Sequence, residues 1–127
     1  MVATNLHADI LSDLAAALAG GLGVARIGNI DPERRYPSMF EPIHGSAFDI
    51  MGQGLANPIG TFWSCVMMLE HLGEKAAADA LMAVIESVTA EPALHTRDLG
   101  GSATTVQVTD AVVARIAARK SGARQAA

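Results

Sequence analysis

Asp9 and Asp13 stand four residues apart in the run Asn5-Leu6-His7-Ala8-Asp9-Ile10-Leu11-Ser12-Asp13. On a helix that spacing puts their carboxylates one turn apart on the same side. Hard divalent cations such as Mg²⁺ take carboxylate oxygens, and two from one helix offer part of an octahedral shell. Without a cation, two like charges so placed repel by roughly a few tenths of a kcal/mol. The alternative is a pair of solvated aspartates at a helix N-terminus, where negative charge is favourable. Spacing alone does not choose between the two.

A second group is the run Phe40-Glu41-Pro42-Ile43-His44-Gly45-Ser46-Ala47-Phe48-Asp49-Ile50, followed by Ala56-Asn57-Pro58. Taken singly, His44 reads as a surface histidine in a glycine-bearing loop. The remaining reactive residue types give blander readings. Trp63, Met67 and Met68 fit a helical core. Cys65, in the same apolar stretch, reads as an inert buried thiol. His7, His71 and His95 lack metal-ligand spacing. No Gly-x-Gly-x-x-Gly precedes a helix, and Gly20-Gly21-Leu22-Gly23 follows one, where it reads as a helix stop. No nucleophile-elbow pattern supports a serine hydrolase.

The elements that must position these groups follow from periodicity. Ile10, Leu11, Leu14, Ala15 and Leu18 recur at helical spacing and predict a helix from Leu6 to Ala19, stopped by Gly20-Gly21. Two extended segments are expected, Val24–Ile30 and Ser38–Pro42, around the turn-rich Asp31-Pro32-Glu33-Arg34-Arg35. His44 to Gly54 reads as a loop of functional length. Asn57-Pro58 starts a helix ending near Leu72 at Gly73, with asparagine as cap and proline at the first position. A third helix covers Glu74–Thr89, closed by Pro92. After the loop Thr96–Gly101, a last helix runs from Thr104 to Ala118, with Val108, Val112 or Val113, and Ile116 on one face. Val2-Ala3 reads as the end of a strand whose beginning is missing, an edge that would favour association.

Length fits one domain with a real core, and 17% charged residues against 50% hydrophobic ones argue against disorder. One cysteine excludes an internal disulfide and fits a cytoplasmic location. No signal peptide is read at the N-terminus, and the run Pro58–Leu69 is too short to span a bilayer. Net charge is −4. The basic cluster Arg115, Arg119, Lys120 and Arg124 lacks interleaved aromatics and reads as a solvated helix end, so neither nucleic acid nor membrane is an expected partner.

The two motifs, in this order, resemble the metal helix and the adenosine-binding loop of the metal-dependent β-decarboxylating dehydrogenases, the isocitrate/isopropylmalate dehydrogenase family. The resemblance runs from Val2 to Ile116. It implies an α/β chain, a partial isocitrate/isopropylmalate dehydrogenase-like fold, helix-rich with two or three strands. Residues 1–127 would form one segment, the C-terminal part of such an enzyme. Residues 1–20 would be the metal and dimer helix, and residues 24–118 the adenosine-binding part.

The resemblance carries roles with it. Asp9 and Asp13 would ligate Mg²⁺ or Mn²⁺, and Asn5 would contact substrate or nicotinamide at the same mouth. NAD would be bound by Glu41, His44, Gly45, Ser46, Ala47, Asp49, Ile50 and Asn57. Among these, His44 would pack beside the adenine and Asn57 would contact it. Gly45, Ser46 and Ala47 would let the backbone approach closely. Asp49 would accept the ribose hydroxyls and repel a 2′-phosphate. Ala8 stands where glycine is commoner, and Phe48 replaces the usual proline. Asp98-Leu99-Gly100-Gly101 with Thr104-Thr105 resembles the family's C-terminal signature, implying helix entry and cofactor-cleft lining.

Asn29-Ile30-Asp31-Pro32-Glu33-Arg34 and Tyr36-Pro37-Ser38-Met39-Phe40 look most like the tartrate/D-malate dehydrogenase branch. The implied activity is NAD-dependent oxidation and decarboxylation of a 2-hydroxy acid by a homodimer. In the family the catalytic Lys and Tyr, the substrate arginines and a further metal aspartate lie N-terminal of this segment. Lys75, Lys120 and Tyr36 do not match them, so no catalytic residue is assigned and the chain is expected to be inactive alone. A non-catalytic nucleotide-binding module and a self-associating structural piece are the alternative readings.

Overall fold

Helical periodicity decides most of the chain. In the computed structural model, which describes residues 2–19 and 21–125, helices α1 (Asn5–Ala19), α2 (Ile59–Leu72), α3 (Lys75–Thr89) and α4 (Thr105–Gln125) form close to the expected places. Asn57 does cap α2, its Oδ1 accepting the Ile59 amide at 3.0 Å, while Pro58 sits at the cap itself, just before the expected position. The helix stops because Gly73 turns left-handed, with φ 86°, a conformation that costs glycine nothing. Thr104 and Gln107 form a reciprocal capping box at α4, the Thr104 amide donating to Gln107 Oε1 at 2.8 Å and the Gln107 amide to Thr104 Oγ1 at 3.2 Å. Thr104 is therefore the cap and not the first helical residue. At its other end α4 continues beyond the expected Ala118, since no proline interrupts the sequence there.

Strand β1 (Arg26–Asn29) is shorter than expected because Leu22–Val24 curls into a 3₁₀ turn that drives Val24 into the core. It pairs antiparallel with β2 (Met39–Pro42), Ile27 facing Glu41 and Gly28 facing Phe40. The connection is shaped by Asp31, whose carboxylate accepts the amides of Arg35 at 2.7 Å, Tyr36 at 2.8 Å and Glu33 at 3.2 Å. The described residues thus hold a two-stranded sheet, at the lower end of the two or three strands expected.

The sheet lies against α2, α2 packs on α3, and α3 on α4. Val66, Val84, Ile85, Val88, Val108 and Val112 fill the space between these helices. Of the alternatives on α4, Val112 is inside and Val113 outside, and Ile116 is exposed at 43%, a correction to the expected face. Met68 is also exposed and Cys65 only half-buried, so the α2 core is narrower than expected, centred on Val66 with Trp63 alongside. α1 stands apart from this core. Ala16 is its buried residue, against the Leu22–Val24 turn, while Leu6, Ile10, Leu11, Leu14 and Leu18 are exposed.

Candidate functional site

Three segments, the first two continuous in sequence and the third distant from them, line with Gly23 one cavity of about 860 Å³. The first is the loop after β2, where His44, Gly45, Ser46, Ala47, Asp49 and Ile50 all reach the wall. Its path is tight: Gly45 and Ala47 are both left-handed, with φ 66° and 42°, and Phe48–Ile50 make a 3₁₀ turn. For alanine that conformation costs about 1–2 kcal/mol, so the surrounding bonds must hold it. Ile50 donates its amide to Ala47 at 3.1 Å, and Gln53 Nε2 donates to the Asp49 carbonyl at 2.8 Å. His44 Nδ1 donates to the Gly45 carbonyl at 2.9 Å. A carbonyl only accepts, so Nδ1 carries the proton and a neutral ring keeps Nε2 as an acceptor.

The second segment is Asn57 and the entry to α2. The third is the loop before α4 and the first turn of that helix, through Arg97, Asp98, Thr105 and Val106. Thr105 fastens α4 to the loop, its amide donating to the Gly54 carbonyl at 2.8 Å and its hydroxyl to that of Ala56. Asp98 Oδ2 accepts Asn57 Nδ2 at 2.9 Å, joining segments 41 residues apart, and Asp98 Oδ1 accepts the Thr96 hydroxyl. The cavity is within the ~300–1,000 Å³ range of small-ligand sites and mixes apolar walls with a few convergent polar groups.

Seven of the expected nucleotide residues, His44 to Ala47, Asp49, Ile50 and Asn57, thus share this wall. Glu41 is outside it, on β2 opposite Ile27. Of the stretch Asp98-Leu99-Gly100-Gly101 with Thr104-Thr105, expected to line a cleft, Asp98 and Thr105 are on the wall and the other four are not. Arg97 and Val106 were not singled out in the sequence. Adjacency to the Asp98 signature and to the helix cap was the signal for them.

Asn5, Asp9 and Asp13 are on α1, away from the cavity wall. They are exposed and follow one another turn by turn, with Asn5 Nδ2 3.4 Å from Asp9 Oδ2. The two carboxylates are the oxygen donors a hard cation takes, and they fit part of its shell. Among the described residues no third His, Cys, Asp or Glu joins them, so the remaining ligands would come from water, substrate or another chain segment.

Residues 1–112 match the family model described as isocitrate/isopropylmalate dehydrogenase. With the fold and the loop in place, the chain belongs to that family. It is similar, at 69% identity over 117 residues, to the "Probable tartrate dehydrogenase/decarboxylase" of Agrobacterium vitis, covering 92% of this chain and 32% of the relative. It is 49% identical over 117 residues to the "D-malate dehydrogenase [decarboxylating]" of Escherichia coli strain K12, covering 88% of this chain and 32% of the relative. Among solved structures, the isocitrate dehydrogenase of Methylococcus capsulatus superposes with TM-score 0.78 at 43% identity, over 89% of this chain and 33% of that one. The chain therefore spans about a third of the length of the curated relatives it matches. Among the described residues no helix is long and apolar enough to cross a membrane.

Proposed function

We propose that this chain is the C-terminal portion of an NAD-dependent, Mg²⁺- or Mn²⁺-dependent dehydrogenase that oxidises and decarboxylates a 2-hydroxy acid of the tartrate, D-malate or 3-isopropylmalate type. The supporting observation is the convergence of His44–Ile50, Asn57 and the first turn of α4 on one cavity of ligand size. NAD, when bound, supplies a hydride acceptor, and a divalent cation supplies Lewis acidity at the substrate oxygen. The residues of this chain bind and orient. His44 Nε2 is an acceptor beside the base, Asn57 offers a carboxamide to it, and Asp49 accepts the ribose hydroxyls and disfavours a 2′-phosphate. Asp9 and Asp13 contribute carboxylates to the cation, with Asn5 a turn away for substrate or nicotinamide. No proton-transfer group is assigned to this chain, so it is inactive alone. A cytoplasmic location accords with its single cysteine.

A thermal unfolding scan with and without NAD and Mg²⁺ tests this reading, since a ligand that binds only the folded form raises the midpoint by mass action. An upward shift with NAD, lost in Asp49→Ala and His44→Ala, is expected. A cooperative transition that NAD leaves unmoved at millimolar concentration sinks the nucleotide reading for this chain.

The exposed apolar face of α1 favours a second element of the reading, a homodimer. Leu6, Ile10, Leu14 and Leu18 are left exposed among the described residues, and a second copy would cover them.

A further inference from the structure

Asn57 is only 6% exposed, yet it lines the cavity. Its Nδ2 donates to Asp98 Oδ2 at 2.9 Å, and its Oδ1 accepts the Ile59 amide at 3.0 Å. A carboxylate only accepts and a backbone amide only donates, so these partners fix which end of the carboxamide is oxygen and which is nitrogen. Asp98 is itself held, because Thr96, 1% exposed, donates its hydroxyl to the other carboxylate oxygen. Space around the carboxylate is tight as well: a Cβ on Gly23 would fall 2.2 Å from Asp98 Oδ2. One Nδ2 hydrogen and one Oδ1 lone pair of Asn57 remain for a ligand.

We propose that Asp98 is a positioning residue: by locking the carboxamide of Asn57 it sets the preference of the cavity for adenine over a base of opposite hydrogen-bond polarity. The inference rests on the reading of the cavity as an adenosine site. Adenine offers an amino donor next to a ring-nitrogen acceptor, which a fixed Oδ1 and Nδ2–H match. Hypoxanthine replaces that amino group with a carbonyl, setting oxygen against oxygen if the carboxamide cannot turn over. Without Asp98 one of the two holds is gone, and turning over to meet hypoxanthine is opposed by the Ile59 amide alone.

Calorimetric titration of the 127-residue chain with NAD and with nicotinamide hypoxanthine dinucleotide tests the inference. The unmodified chain should favour NAD by about tenfold, as expected for one oriented carboxamide pair. Asp98→Ala should bring the ratio below about threefold, while Asp98→Asn, which keeps an oxygen acceptor, should retain most of the preference. A residue that merely stabilises the loop would weaken both ligands together and leave the ratio alone. An unchanged ratio in a folded Asp98→Ala chain overturns the inference while the adenosine reading stands. A chain that binds neither dinucleotide overturns both. Should Asp98→Ala not fold, Thr96→Val removes one hold on Asp98 and should lower the ratio part way. An unchanged ratio there also counts against the inference.

Discussion

The guanidinium of Arg26 lies over the indole ring of Trp63, 3.8 Å from its centroid. This contact couples β1 to the middle of α2, close to the core that carries the cavity. Burial pulls the Arg26 pKa below its usual value, partly opposed by the charge of Glu70, yet the group stays cationic at any ordinary pH. Among the described residues Trp63 Nε1 is buried without a hydrogen-bond partner, and the stacked cation adds an electrostatic attraction to the face of the ring. Arg26→Ala should cost about 0.5–1 kcal/mol. The chain has a single tryptophan, so its emission spectrum reports the contact directly. Unchanged emission together with an unchanged melting temperature would show that the stack contributes nothing.

Acid should loosen the connection between the strands before it affects the helices. Hydrogen bonds from the Tyr36 amide, then from those of Glu33 and Arg35, hold the Asp31 carboxyl below its ordinary pKa against the opposing effect of burial; the nearby charge of His71 adds a little. A depressed folded-state value means that the stabilisation is present above the unfolded pKa of about 3.9 and is lost as pH falls through the folded one. Amide protection at Arg35 and Tyr36, relative to the free-peptide exchange rate at each pH, should therefore fall below about pH 4, with the α3 amides still protected. In Asp31→Asn that acid step should be absent. If the step persists there, another group controls the turn.

Two apolar substitutions should separate the core from the uncovered helix. Val112 is 0% exposed and Leu14 is 58% exposed. Val112→Ala should destabilise the chain by about 1–3 kcal/mol, from lost burial and the cavity left behind. Leu14→Ala should leave the chain's intrinsic stability within about 0.5 kcal/mol while weakening self-association in sedimentation. Equal losses in the two variants at concentrations where the chain is monomeric would place α1 inside the core.

The loop that carries Asp98 admits no side chain at Gly101, where a Cβ would fall 2.0 Å from the His95 carbonyl oxygen. That carbonyl also accepts the Ala103 amide at 2.9 Å, so it cannot retreat freely. Gly101→Ala should destabilise by about 1–3 kcal/mol and weaken NAD binding more than an equally destabilising change in α3. Wild-type affinity in this variant would show that the loop is not a required wall of the site.

Purified alone, the chain should form no NADH from D-malate or tartrate, with Mn²⁺ and NAD present, by absorbance at 340 nm. Supplying the other two-thirds of a family enzyme as a separate chain should restore turnover, and Asp9→Asn should abolish the restored rate. Turnover by the lone chain would show that it carries a proton-transfer group of its own.

The local pattern of the sequence determined the four helices, the Asn57 cap and Gly73 stop of α2, and the loop between β2 and α2, because periodicity, Asn57-Pro58 and Gly73 act within a few residues. It also determined the family, through two runs whose residue types recur in order. It could not decide the choice between Val112 and Val113, nor the fate of Ile116 and Met68, since each fits a helical stripe and only the neighbouring helix settles which are covered. The bond between Asp98 and Asn57 belongs wholly to tertiary structure. Forty-one residues separate them, and chain folding alone brings a carboxylate and a carboxamide to hydrogen-bond distance. For the same reason α1 could be read as amphipathic but not as uncovered: its stripe is a local property, and the surface that would bury it is not.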